Sequence, residues 1–129
     1  MTHDAAQRGP WVLVVDDDRD MRDLARLSLE IGGLVVDEAA DGTQALERFF
    51  EPIPPPPSAV VLDMRMPGLN GLEVAERMLS YNPEQLIVLF SAQLDSDCED
   101  AALAFGVAAC VPKHDVMKLP EILRHLMAA

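Results

Sequence analysis

Residues 59–63 read Ala59-Val60-Val61-Leu62-Asp63, four apolar residues closed by a carboxylate, and Met64-Arg65-Met66-Pro67-Gly68 follows. A short apolar run without polar alternation suits a strand covered on both faces, as in a parallel sheet. The same pattern recurs at fairly even intervals outward from it. Residues 11–15, 34–36, 86–90 and 107–111 are further runs rich in Val, Leu or Ile. With 59–62 they make five expected strands. The run at 34–36 is the shortest and ends in Asp37 and Glu38.

Helical patterns fill the gaps. Met21, Leu24, Leu27 and Ile31 recur at i, i+3, i+6 and i+10, the expected core face of a first helix. Asp18 precedes it as an N-cap, and Gly32-Gly33 stops it. Asp41 with Gln44 reads as a capping pair ahead of Ala45, Leu46, Phe49 and Phe50. Asn70 with Glu73 does the same ahead of Leu72, Ala75, Met78 and Leu79, and Asn82-Pro83 closes that segment. Residues 96–105 are Ala-rich and end at Gly106. The last helix carries Pro120 in its first turn, where a missing N–H costs nothing, and an apolar stripe of Ile122, Leu123, Leu126 and Met127.

Strand then helix, five times, predicts an α/β fold. The expected architecture is a doubly wound five-stranded parallel sheet with five helices, flavodoxin-like, in strand order 2-1-3-4-5. Residues 1–10 read as an N-terminal extension and 11–129 as one domain. Four consecutive prolines, Pro54 to Pro57, cannot be helix and favour an extended conformation. The segment 52–57 is either a stiff loop or a docking ligand for an aromatic groove, and the stiff loop is favoured.

Composition bounds the function. The 129 residues hold 10 Lys and Arg against 22 Asp and Glu, a net charge of −12. That excludes a nucleic-acid binder working through a basic face and disfavours anionic membranes. It fits a cation ligand. Cys98 and Cys110 are too few for a disulfide framework or a cysteine zinc site, and their apolar neighbours suggest buried thiols. The first ten residues lack the apolar run of a signal peptide, and no apolar stretch reaches membrane-span length. The expectation is a cytoplasmic protein.

In a doubly wound sheet the site lies beyond the carboxyl ends of the strands. Asp16-Asp17-Asp18 follow the first run, Asp63 the third, Ser91-Ala92 the fourth and Pro112-Lys113 the fifth. Carboxylates, a hydroxyl and an ammonium therefore converge on one rim. Oxygen-only donors without His or Cys point to Mg²⁺ or Mn²⁺. Magnesium keeps several waters and leaves room for a phosphoryl group, which a nearby carboxylate can attack in line. Lys113 and Ser91 can meet two further phosphoryl oxygens. Asp18 is better read as the helix cap than as a ligand.

These segments, Val14-Val15-Asp16-Asp17-Asp18, Val60 through Gly68, Phe90-Ser91-Ala92 and Val111-Pro112-Lys113, resemble the receiver domain of bacterial two-component response regulators. The resemblance runs from about Trp11 to the end. It implies that Asp63 is the phospho-acceptor, and that Asp16, Asp17, Asp63 and the backbone carbonyl of Arg65 hold the metal. It implies further that Ser91 is the switch hydroxyl and Lys113 the phosphoryl-binding ammonium. Arg65 and Gln93 fall where phosphoryl lifetime is tuned. A sensor histidine kinase or phosphotransfer protein would donate the phosphoryl group. Output would pass to a protein partner or a homodimer through the face of the fourth helix, fifth strand and fifth helix. Such a domain is a switch that assists its own phosphorylation rather than an enzyme.

Two positions depart from that family's pattern. Cys110 stands where receivers often carry an aromatic coupled to the switch hydroxyl. His114 follows Lys113 where proline is common, and Pro112 precedes it. His114 is expected to be a solvated loop residue. The acidic cluster Asp95, Asp97, Glu99 and Asp100 reads as favourable charge at a helix start or as a partner surface. Two rival functions remain at this stage. One is a magnesium phosphohydrolase using Asp16 and Asp18; the other is a pseudo-receiver that binds without turning phosphate over.

Overall fold

A computed structural model describes residues 10–51, 55–93 and 96–128. The elements run β1 (Trp11–Val15), α1 (Arg19–Ile31), β2 (Val35–Ala39), α2 (Gly42–Phe49), β3 (Ala59–Asp63), α3 (Gly71–Tyr81), β4 (Ile87–Ser91), α4 (Ser96–Phe105), β5 (Ala109–Pro112), a 3₁₀ segment (Lys113–Lys118) and α5 (Leu119–Ala128). All strand pairs are parallel, and the order is β2-β1-β3-β4-β5. The fold expectation therefore holds in class, strand count and order. Every residue of β1, β3 and β4 is buried, which is why these strands do not alternate in sequence.

The pleat sends alternate residues to opposite faces. Leu13, Val15, Val60, Leu62, Ile87 and Leu89 pack with Ala45, Phe49, Val74, Met78 and Ala102 of α2, α3 and α4. Val12, Val14, Val61, Val88, Phe90 and Val111 pack with Ala25, Leu29, Leu119 and Leu123 of α1 and α5. This parity matters for the site: Asp16, Asp63 and Lys113 continue the rows that face α1 and α5.

Several boundaries and faces differ from expectation. β2 starts one residue later than 34–36 suggests and runs on through Asp37 and Glu38 to Ala39. The two acids are tolerated in a strand because Arg22, Arg26 and Arg48 pair with them. β4 shifts to Ile87–Ser91, and β5 begins at Ala109 rather than 107. Val107 is buried but bonds back to the Ala102 carbonyl, closing α4 instead of extending the sheet.

The expected core stripe of α1 is the larger correction. Leu24, Leu27 and Ile31 are 40%, 52% and 71% exposed, and the buried face is Ala25, Ser28 and Leu29. Leu29 is fully buried on that face, and the Ser28 hydroxyl beside it is satisfied by the Val116 carbonyl of the 3₁₀ segment. Phe50 is also exposed and stands edge-on to Tyr81, ring centroids 5.0 Å apart. Leu123 of the α5 stripe is fully buried, but Ile122, Leu126 and Met127 are only partly covered, and Leu119 joins Leu123 in the core.

The caps form as read. Asp18 accepts from the Asp20 amide, Asp41 from Gln44, and Asn70 with Glu73 makes a reciprocal capping box. Gly71 opens α3 because nothing larger fits: a Cβ there would lie 2.4 Å from the Asp63 carbonyl oxygen. Pro52, Ile53 and Pro54 lie outside the described residues, as do residues 1–9 of the extension 1–10. The carbonyl of Pro55 accepts from the Trp11 indole at 2.9 Å, and that of Pro57 from Gln85 at 3.1 Å. Those bonds hold this part of the proline segment against the amino end of the sheet, opposite Asp63. Among the described residues no helix is long and apolar enough to cross a membrane.

Candidate functional site

β1, β3 and β5 end on one rim, and their terminal residues meet there. Carboxylate oxygens of Asp16, Asp17 and Asp63 lie within 4.8 Å of one another. Asp16 and Asp63 are 1% and 3% exposed, whereas Asp17 is exposed. Lys113 Nζ stands 2.8 Å from Asp16 Oδ2 and 3.2 Å from Asp63 Oδ1, and 6.0 Å from the Phe90 ring centroid. A cavity of about 250 Å³ opens above this cluster. Asp17, Asp63, Arg65, Ser91, Gln93 and Lys113 line it with Ala92. Six of the residues singled out in sequence thus share one wall.

The electrostatics follow from crowding. Burial, and then the neighbouring Asp16 charge, push the Asp63 carboxyl from its ordinary 3.8 up to about 7. Lys113 and the Arg65 amide, which donates to Asp63 Oδ1 at 3.3 Å, oppose the rise. Burial alone would lower Lys113, but Asp16 and Asp63 outweigh it and hold the ammonium above its ordinary value. Asp16 Oδ1 accepts from the Asp18 amide at 2.9 Å. Its Oδ2 is buried and pairs with the Lys113 ammonium. Three carboxylates with no nitrogen or sulfur donor fit a hard divalent ion such as Mg²⁺.

Ser91 Oγ donates to the Gln93 carbonyl at 2.7 Å and accepts from the Gln93 amide at 3.3 Å. The hydroxyl is thereby turned into the loop that leads to α4. Cys110 is not at the cavity. It is half-buried on the α4 face of the sheet, which corrects the expectation of a buried thiol, because β5 is an edge strand. Burial, and then Glu99, push its thiol up, so it lacks the thiolate character of a reactive cysteine. The side chain of Cys98, and Asp95 of the acidic cluster, lie outside the described positions. His114 is exposed, its side chain 78% accessible.

Sequence reading missed Arg22, Glu38 and Ser28. Arg22 Nη1 donates to the Asp16 carbonyl at 2.8 Å while its Nε donates to Glu38 Oε1 at 3.2 Å. One planar guanidinium thus ties β2 to the backbone at the head of the acidic run. Charged residues on a helix surface and at a strand's end look alike in sequence whether or not they meet, so no local signal marked them.

Comparison with known proteins agrees with this geometry. Residues 12–124 match the family model described as response regulator receiver domain. The response regulator MprA of Mycobacterium ulcerans is 37% identical over 117 residues, which cover 91% of this chain and 48% of the relative. MprA of Mycobacterium avium is 36% identical over the same length. The chain thus spans about half the length of the curated relatives it matches. Among solved structures, the response regulator TrrA of Thermotoga maritima, in complex with Mg²⁺-BeF, is 30% identical. Its TM-score is 0.80, with 91% of this chain and 98% of that one covered. A receiver domain from Clostridium thermocellum superposes with a TM-score of 0.85 at 23% identity, covering 92% and 94%. With its strand order, its rim of three aspartates and its family match all in agreement, the chain belongs to the response regulator receiver domains of two-component systems.

Proposed function

We propose that this receiver accepts a phosphoryl group on Asp63 from a phosphohistidine of a sensor histidine kinase or phosphotransfer protein. The observation that carries the reading is the contact set at the rim: three carboxylates within 4.8 Å and Lys113 Nζ at 2.8 and 3.2 Å from two of them. Asp16, Asp17, Asp63 and the Arg65 carbonyl would hold Mg²⁺ or Mn²⁺. When bound, the ion supplies neutralising charge for the phosphoryl oxygens.

The chain's own groups do the rest. Asp63 Oδ1 is engaged by the Arg65 amide and Lys113, so Oδ2 is the oxygen to attack phosphorus. The new O–P bond forms as the N–P bond of the phosphohistidine breaks, and the imidazole leaves with the electron pair. Lys113 shifts to a phosphoryl oxygen, and Ser91 donates to another. Arg65, exposed at the mouth of the cavity, shields the acyl phosphate from water.

The phosphohydrolase alternative needs Asp16 as nucleophile. Asp16 is 1% exposed and lies behind Lys113 rather than on the cavity wall, which favours Asp63. Output through the α4, β5 and α5 face, and a cytoplasmic location without direct nucleic-acid contact by this chain, belong to the same reading. Acetyl phosphate with Mg²⁺, followed by intact mass, tests it. Wild type should gain one phosphoryl group, and Asp63→Asn should gain none. An undiminished adduct in the variant overturns the acceptor assignment.

A further inference from the structure

Ser28 is one of five buried polar residues among the described ones, 1% exposed on the α1 face that also buries Ala25 and Leu29. A hydroxyl in such a place costs stability unless it is bonded. Ser28 Oγ donates to the Val116 carbonyl at 2.8 Å, across 88 residues of sequence. Val116 sits in the 3₁₀ segment whose first residue is Lys113, and its own side chain is buried in the cluster shared by α1 and α5. The same carbonyl accepts from the Leu119 amide, which closes the turn into α5. Both lone pairs of one oxygen are therefore used, one for local helix geometry and one to fix the segment against α1.

We infer that Ser28 is a positioning residue for Lys113. The 3₁₀ segment contains a residue outside helical geometry, Asp115 at φ −94° and ψ 23°, so its internal bonds alone do not fix its pitch. The tether to α1 supplies the missing constraint. That helix is also tied near its start to the Asp16 carbonyl, through Arg22. The Asp16 backbone and the segment that carries the ammonium are thus referenced to one helix. The inference rests on the proposed phosphoryl reading for its consequence, but its geometric part stands apart from it.

The loss of the tether leaves the Val116 carbonyl one partner, so Ser28→Ala should fold. It should speed amide hydrogen exchange over residues 113–118 in the cation-free protein more than elsewhere. With Mg²⁺ saturating, beryllofluoride should bind about fivefold more weakly, while Mg²⁺ affinity changes less than twofold. Ser28→Thr, which keeps the hydroxyl, should restore both readouts. Leu29→Ala, a core neighbour without the bond, serves as the control for general destabilisation and should leave beryllofluoride affinity unchanged where it is fully folded. Equal losses in Ser28→Ala and Leu29→Ala, or unchanged exchange in 113–118, overturn the inference. Wild type that binds Mg²⁺ but no beryllofluoride overturns the phosphoryl reading instead, and the exchange data then decide the tether alone.

Discussion

Asp63→Asn should stabilise the cation-free protein, by an amount that grows with pH. The Asp63 carboxyl titrates at about 7 in the folded protein against an ordinary 3.8, because it is buried and faces Asp16. Between those values the folded protein holds a proton that the unfolded chain has released. Stability from this group therefore falls as pH rises through the window and levels off above about pH 7. Each unit is worth about 1.4 kcal/mol. The full displacement is thus about 4 kcal/mol by pH 8, and less than half of it has been lost at pH 5.

Asparagine has no proton to lose, so the variant's advantage should widen by about 2–3 kcal/mol from pH 5 to pH 8. The substitution also removes one partner of Lys113, which lowers the absolute gain. Lys113 is charged at both pH values, so that loss does not alter the difference. Urea unfolding of both proteins with chelator at the two pH values measures it. A gap that stays constant between pH 5 and pH 8 would refute the assignment of the repulsion to Asp63. Adding Mg²⁺ should narrow the gap. Wild type gains about 2.7 kcal/mol at one hundred times the dissociation constant, and the variant, short of one carboxylate, gains less.

Two further outcomes test what shapes the site. In Gly71→Ala the added Cβ meets backbone, 2.4 Å from the Asp63 carbonyl oxygen and 2.9 Å from Met64 Cα. Thermal unfolding should show a loss of about 1–3 kcal/mol, with weaker Mg²⁺ binding because Asp63 is displaced; wild-type stability would show that the helix yields freely. Glu38→Gln leaves Arg22 and Arg26 without their shared carboxylate, so Mg²⁺ affinity should fall by about two- to fivefold and the loss should shrink at high salt. Affinity equal to wild type at low salt would show that Arg22 holds the Asp16 carbonyl without help from Glu38.

The parts of the fold legible in sequence are those where one residue's environment is set by its near neighbours. Apolar runs gave three central strands because both faces of β1, β3 and β4 are covered. Asn70 and Glu73 announced α3 because a capping box is local chemistry. The rim residues were legible because strand ends converge in this topology whatever lies between them. What stayed hidden depends on long-range partners. Asp37 and Glu38 sit in a strand only because arginines of α1 and α2 reach them. The face of α1 was misread because Leu24, Leu27 and Ile31 lie on the exposed side, while Leu29 and a serine bonded to a carbonyl 88 residues away are buried. The 3₁₀ segment went unseen for the same reason: its anchor is on another helix.

Cys110 changes where a signal from the cavity must travel. It faces α4 across the sheet and does not reach the cavity, so it offers Ser91 no ring to follow. Ser91 is instead bonded twice to Gln93, through the carbonyl at 2.7 Å and the amide at 3.3 Å. On the proposed reading, a phosphoryl oxygen competes with the Gln93 carbonyl for the single Ser91 proton. The hydroxyl can donate to only one of them. Turning it toward the cavity frees the carbonyl of Gln93, three residues before α4, whose first turn carries Asp97 and Glu99. On that reading coupling runs along the chain from Ser91 toward α4, and the side chain at residue 110 needs only to pack.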